Sequence, residues 1–260
     1  MDEILHPLDP YLRANKLPHI WCPGCGIGIF LGQLIRALKE LGVDWNRIVI
    51  ISGIGCAGRI STYINCDTAH VIHGRAVPFA EGVKLAKPYL KVIVVGGDGD
   101  ILSIGGNHFI HASHRRTPIS VIMLNNMIYG MTGGQMAPTT PHKALTTTTP
   151  RGNPYEPLNS VAIAYAAGAE FIARWSVAHP IQLKNSLKKM FSKEVFGFLE
   201  VISPCPEIFG RLNRLRDPVD LLKTIKEICI IKNNINPMDA TIDWPNKIVC
   251  GDFKVPGEPA

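Results

Sequence analysis

Apolar residues at Ile27, Phe30, Leu31, Leu34, Ile35, Leu38 and Leu41 recur at steps of three and four. That spacing predicts an amphipathic helix, ended by Gly42. The pattern then changes. Residues 47–52 (RIVIIS) form a short β-branched run that predicts a buried strand leading into Gly53-Ile54-Gly55. A helix is expected over 76–87, stopped by Pro88, and a second strand over 92–95, ending in Gly96-Gly97-Asp98-Gly99-Asp100. A helix about 104–113 and a third strand over 119–124, ending at Asn125-Asn126, continue the alternation. Short apolar strands separated by helices predict βαβ units, hence an α/β fold with a mostly parallel sheet flanked by helices.

Beyond a Gly-, Thr- and Pro-rich stretch at 129–157, the pattern predicts a helix over 158–167, a strand over 169–173, a helix over 179–191 and a strand over 198–202. Asp217-Pro218 is a helix start, with Leu221, Leu222, Ile225, Ile228 and Cys229 on one face. These elements divide the chain into an N-terminal arm (1–20, with Pro7, Pro10 and Pro18), a binding domain (21–212) and a C-terminal helix with a subunit-contacting tail (213–260). Periodicity fades from Lys232, so the tail is expected to be disordered or laid across a partner. Structureless loops as long as 129–157 tend to be functional or partner-bound.

Composition narrows the class. The chain has 260 residues, 46% of them hydrophobic and 18% charged, enough to bury a core without staples. No apolar run approaches the roughly 18 residues that span a bilayer. The first residues lack the basic-then-apolar layout of a signal peptide, so a cytoplasmic location with no membrane contact is expected. The net charge of +6 is spread in short groups such as Arg115-Arg116, Lys188-Lys189 and Arg211, Arg214 and Arg216. That is a solvated surface or a docking face for an acidic protein. No nucleic-acid motif accompanies it.

In parallel sheets, ligands bind outside the carboxyl ends of the strands. Three loops are singled out, near Gly53, Asp98 and Asn126. An Asp carboxylate and an Asn carbonyl are hard oxygen ligands that suit Mg²⁺ shared with phosphate oxygens. Glycines beside them allow backbone N–H groups to approach a diphosphate, and the next helix offers its N-terminus. A turn back after Asn126 would offer the Ile128 carbonyl as a third ligand. Gly-Asp-Gly followed by this Asn, both at strand ends, is the signature of thiamine diphosphate enzymes.

Seven cysteines without an export signal argue against a disulfide framework. Cys22 and Cys25 share a tight turn, and Cys56 and Cys205 also lie in Gly- or Pro-rich loops, whereas Cys66, Cys229 and Cys250 do not. Four such thiols suit an iron–sulfur cluster or zinc, or are simply buried. Cys56 follows the first strand, on the same edge as Asp98. A metal beside an electron-rich cofactor is useful if it accepts electrons, which zinc cannot do. His108, His111 and His114 are spaced so that they drift around a helix, which disfavours a metal site. His73 precedes a helix at the cofactor edge. Arg59, just after Cys56, could hold a substrate carboxylate bidentately.

Taken together, the stretches 17–29 (LPHIWCPGCGIGI), 52–59 (SGIGCAGR), 73–88, 96–116, 125–141, 173–183 and 203–211 resemble the beta subunits of the 2-oxoacid:ferredoxin oxidoreductases, most closely the archaeal-type 2-oxoglutarate enzymes. The resemblance implies a thiamine diphosphate-binding domain of the diphosphate type. It implies that Cys22, Cys25, Cys56 and Cys205 ligate a 4Fe–4S cluster. Asp98, Asn126 and Ile128 would hold Mg²⁺. Ile54, Gly55, Cys56, Ala57, His73, Gly97, Gly99, Asp100, Gly130, Met131 and Thr132 would contact thiamine diphosphate. Arg59 and His73 would act at the reacting centre. Relatives acting on 2-oxoglutarate often read Gly-Cys-Ser-Ser-Arg. This chain reads Gly55-Cys56-Ala57-Gly58-Arg59, which keeps Arg59 and lacks two hydroxyls.

The implied reaction is oxidative decarboxylation of 2-oxoglutarate with coenzyme A to succinyl-CoA and CO₂, with reduction of ferredoxin. Pyruvate or another 2-oxoacid is the alternative substrate. A non-oxidative thiamine enzyme subunit and a zinc-stabilised binding subunit are the alternatives of other classes. In this family the cofactor lies between two domains, and a Glu on the second activates the aminopyrimidine. A chain of 260 residues with one sheet has room for the diphosphate half, so an alpha subunit is expected as partner. The resemblance leaves room for gamma and ferredoxin-like delta subunits.

Overall fold

The computed structural model describes residues 6–257; the first five residues of the expected arm and the last three of the tail lie outside the described residues. The chain runs through α1 (Ile27–Glu40), β1 (Ile48–Ser52), α2 (Ile60–Tyr63), β2 (Asp67–His70), α3 (Ala76–Ala86), β3 (Lys91–Gly97), α4 (Gly106–Arg115) and β4 (Ser120–Asn125). After the long loop come α5 (Ser160–Ala167), β5 (Phe171–Ser176), α6 (Pro180–Phe191), β6 (Gly197–Ile202), α7 (Pro218–Ile228), β7 (Cys229–Ile231), β8 (Ile242–Asp243) and β9 (Lys247–Asp252).

The strands form one sheet in the order β2-β1-β3-β4-β6-β5-β9-β7, with β8 paired to β9. From β2 to β5 all pairs are parallel, and β9 joins β5 antiparallel. Successive strand residues face opposite sides. Ile48 and Ile50, Ile93 and Val95, and Ile122 and Leu124 pack with α1 and α6. Ile51, Val92, Val94, Val121 and Met123 pack with α3, α4 and α5. Both faces are thus covered, which is why the strands read as continuous apolar runs.

The strand order reverses between β1 and β3, and the chain leaves β1, β3, β4 and β6 at the same edge. Such a switch point leaves a crevice outside the carboxyl ends of the strands. Two features differ from the sequence expectation. β2 is an edge strand with exposed ends and no apolar run, so periodicity did not reveal it. The tail after Lys232, expected to be disordered or on a partner, instead carries β8 and β9, and β9 lies against β5 of the same sheet. Its apolar run is only Ile248, Val249 and Cys250, too short to announce a strand.

Candidate active site

A cavity of about 80 Å³ opens at the switch point. It is lined by Ile54, Gly55, Cys56 and Ala57 after β1, by His73 ahead of α3, and by Gly97, Asp98, Gly99 and Asp100 after β3. Asn126, Ile128, Gly130, Met131 and Thr132 after β4 add to the wall, with Cys25 and Ser203 beside them. Residues from four segments therefore meet, three of them because β1, β3 and β4 are neighbours in register.

Asp98 is buried at the floor of this edge. The Thr139 hydroxyl lies 2.5 Å from its Oδ2 and 2.9 Å from Asn125 Oδ1. Burial pushes the Asp98 carboxyl up to about 7 in spite of the hydrogen bond from Thr139. A cation beside it would offset that desolvation. Asp98, the Asn126 amide and the Ile128 backbone offer oxygen donors, the type Mg²⁺ takes when it also keeps phosphate oxygens.

Asp100 packs against the backbone. Its Oδ1 accepts from the amide of Gly74 at 2.7 Å and from that of Ile54 at 3.4 Å. A Cβ on Gly53 would lie 2.1 Å from Asp100 Oδ2, so only glycine permits this approach. His73 Nδ1 lies 2.7 Å from Asp100 Oδ1, yet without the alignment of a hydrogen bond. His73 Nδ1, Asp100 Oδ2 and Ser203 Oγ are all buried without hydrogen-bond partners, and all three residues line the cavity. Unpaired buried polar atoms are costly, and three of them on residues bordering one cavity fit a site that takes a polar ligand.

A second cavity, of about 60 Å³, is lined by Cys22, Cys25, Cys56 and Cys205 together with Ile20, Trp21, Asn126, Met131, Pro206 and Glu207. One water needs about 10–15 Å³ by the same measure, so there is space for a multi-atom occupant. Local packing explains the convergence. A Cβ on Gly26 would strike Val177, Ser203 and Pro204, so the turn holding Cys25 seats directly on the ends of β5 and β6. Gly24, at φ +77°, packs on Pro218. Trp21 Nε1 donates to the Cys56 carbonyl at 2.8 Å, tying the turn to the β1 loop.

Burial pushes the Cys25 thiol up to about 12, and the nearby cysteines add to the rise. It pushes Cys56 up to about 11, with Arg59 opposing, and raises Cys205. Four thiolates here need cationic compensation. Among the described residues no group of three or more His, Cys, Asp or Glu is spaced to grip a single ion. Around one Zn²⁺ the sulfurs would close to about 3.8 Å from one another, given a Zn–S bond of about 2.3 Å. Here all four cysteines line a cavity of about 60 Å³. Cys25, Cys56, Asn126 and Met131 line both cavities, so the two share a wall.

Other candidates fall elsewhere. Arg59 is exposed in the turn before α2 and lines neither cavity. His108, His111 and His114 lie on α4, the last two exposed. Gly58 has no space for a side chain. Its Cβ would lie 2.1 Å from the Gly53 carbonyl oxygen, and its own carbonyl accepts from Ser52 Oγ at 2.7 Å. Besides Ser203, two site residues escaped the sequence reading. Thr139 comes from the 129–157 loop, whose length alone marked it as functional. Tyr129 packs its ring on Gly99 and donates to the Gly99 carbonyl at 3.3 Å. Its place just before Gly130 was the available signal.

The profile described as "Thiamine pyrophosphate enzyme, C-terminal TPP binding domain" matches residues 53–201, the span from the β1 loop to β6. The chain is 46% identical over 248 residues to the 2-oxoglutarate synthase subunit KorB of Methanothermobacter marburgensis, covering 95% of this chain and 87% of the relative. It is 35% identical over 245 residues to the 2-oxoacid:ferredoxin oxidoreductase subunit beta of a Sulfolobus species, covering 90% of this chain and 80% of that one. The chain belongs to the beta subunits of the 2-oxoacid:ferredoxin oxidoreductases. A solved structure agrees: a chain of the 2-oxoglutarate:ferredoxin oxidoreductase from Magnetococcus marinus, with 2-oxoglutarate, coenzyme A and succinyl-CoA bound, superposes with a TM-score of 0.83. Identity there is 30%, over 99% of this chain and 87% of the other. The matched span contains the loops after β1, β3 and β4 that line the first cavity. No helix among the described residues is long and apolar enough to cross a membrane.

Proposed function

We propose that this chain is the beta subunit of a thiamine diphosphate-dependent 2-oxoglutarate:ferredoxin oxidoreductase. The reaction is oxidative decarboxylation of 2-oxoglutarate with coenzyme A to succinyl-CoA and CO₂, electrons passing to ferredoxin. The observation that carries the reading is the shared wall: four cysteines from three separate segments line a cavity adjoining the one lined by Asp98 and Asn126.

In this reading Asp98, Asn126 and the Ile128 carbonyl hold Mg²⁺, and the diphosphate rests on the glycine-rich backbone at Gly97, Gly99 and Gly130. Cys22, Cys25, Cys56 and Cys205 hold a 4Fe–4S cluster. When bound, thiamine diphosphate stabilises the carbanion left by decarboxylation, and the cluster accepts electrons singly. The chain's residues position and exclude. Asp100 and His73 line the cavity and are assigned to contact the cofactor, and Ile54, Ala57 and Met131 provide its apolar lining. Arg59, exposed three residues after Cys56, is the cationic side chain this reading assigns to the distal carboxylate of an entering 2-oxoacid. An alpha subunit supplies the second half of the cofactor site.

Anaerobic co-purification with the partner subunits and assay against a panel of 2-oxoacids tests this. The expected result is a brown complex that forms succinyl-CoA and reduces ferredoxin only with coenzyme A present. A colourless, iron-free complex that releases aldehyde would overturn it. Preference for pyruvate would keep the chemistry and reject the substrate.

A further inference from the structure

Two of the remaining cysteines meet at the β7 edge of the sheet. Cys229 opens β7, and Cys250 lies in β9, its parallel neighbour. The register sets Cys229 opposite Ile248 and Ile231 opposite Cys250. The two cysteines are therefore offset by two residues and share one face. Their sulfurs are 3.4 Å apart, with the Cys250 thiol donating to Cys229 Sγ.

Their surroundings differ. Cys250 is buried and Cys229 is partly exposed. The Cys250 thiol, then the Ser176 hydroxyl and the Arg174 guanidinium, hold Cys229 below the usual thiol range against its burial. The same pairing, with burial, pushes Cys250 well up. Reactive cysteines sit in partly exposed, electropositive surroundings of this kind. Neither cysteine lines the cavity of the other four, and among the described residues the pair belongs to no group of three or more ligands for a metal ion.

We infer that Cys229 and Cys250 form an oxidisable dithiol, which a small organic disulfide closes to an intramolecular disulfide. Cys229 thiolate attacks one sulfur of the oxidant, forming a mixed disulfide and releasing one organic thiolate. Cys250 gives up its proton and attacks Cys229 Sγ, releasing the second thiol with that proton. One external disulfide is reduced to two thiols as one internal bond forms. Closure ties the end of α7 to β9, and so joins the tail strands covalently. Arg174 already holds this segment through the carbonyls of Ala240 at 2.8 Å and Val249 at 3.2 Å.

The test uses the anaerobically purified complex, treated with 2-hydroxyethyl disulfide, acid-quenched, alkylated and mapped by mass spectrometry. Trypsin cuts after Lys232 and Lys247, so the two cysteines fall on separate peptides. The expected product is the Cys229–Cys250 cross-link, formed before any other cysteine reacts. With Cys250→Ser a mixed disulfide should accumulate on Cys229. With Cys229→Ser, modification of Cys250 should slow by at least about tenfold, since its buried sulfur lacks access. A wild-type map in which both stay alkylated while other cysteines oxidise would overturn the proposal, whether or not the variants fold. So would a Cys250→Ser variant without adduct at Cys229.

Discussion

Thr139 Oγ1 lies 2.5 Å from Asp98 Oδ2, joining a long loop to the candidate magnesium carboxylate across 41 positions of sequence. Both residues are buried. The same hydroxyl meets Asn125 Oδ1, whose own amide donates to Glu200 at 2.6 Å. The carboxylate orientation is thus held by a residue that touches no ligand. Thr139→Val keeps the shape and removes the donor. Outer-shell changes of this kind typically weaken metal binding by about 10–100-fold. Calorimetric titration of Mg²⁺ and thiamine diphosphate should show that loss, with Thr139→Ser restoring most of it.

The four cavity cysteines and Cys66 should separate cleanly. Serine at Cys22, Cys25, Cys56 or Cys205 should remove the iron and the brown colour. Cys66→Ser should leave both intact, because Cys66 lies apart, with its thiol facing the Asp67 carbonyl. Iron analysis of anaerobically purified variants checks this. Iron retained without Cys205 would exclude that ligand.

Arg174 and Glu200 form a fully buried ion pair at 2.5 Å. Glu200 also accepts from Ser160 and Asn125, and Arg174 reaches Asn159, Ala240 and Val249. Removing one partner of such a pair leaves a buried charge and costs about 3–5 kcal/mol. Glu200→Ala and Arg174→Ala should each lower the urea midpoint strongly, and the double variant should lose less than their sum.

Gly58→Ser should be poorly tolerated in this chain, although the Gly-Cys-Ser-Ser-Arg pattern of relatives has serine at this position. Its Cβ would press on the backbone of Gly53, which cannot yield as a side chain would. Overpacking of this kind costs about 1–3 kcal/mol. The expected readout is a lower melting temperature with weaker thiamine diphosphate binding, since Gly53 leads into the cavity loop.

Arg59→Ala should raise the KM for 2-oxoglutarate far more than that for pyruvate, with kcat changed less. Steady-state kinetics on the assembled complex decides it. Equal effects on both substrates would remove Arg59 from carboxylate recognition.

The βαβ core was legible because strands buried on both faces must be apolar throughout, and α1 announced itself by its 3.6-residue stripe. β2 was hidden because an edge strand such as Asp67–His70 needs no apolar face. β9 was hidden because its fit to β5 depends on residues more than seventy positions away. The cavity lining was legible wherever a strand end coincided with Gly, Asp, Asn or Cys. Thr139 and Tyr129 were not, because neither stands at a strand end and neither residue type is distinctive there.

Local chemistry set the repertoire: apolar runs that must pair as a sheet, glycines that admit close backbone contact, and oxygen and sulfur donors at loop positions. Distance along the chain could not say which donors would meet. That followed from strand order, which brings the ends of β1, β3, β4 and β6 to one edge, and from Gly26, whose missing Cβ lets the Cys22–Cys25 turn settle on β5 and β6. Proximity between residues so far apart is a property of packing, where burial and register act together, and no short stretch of sequence contains it.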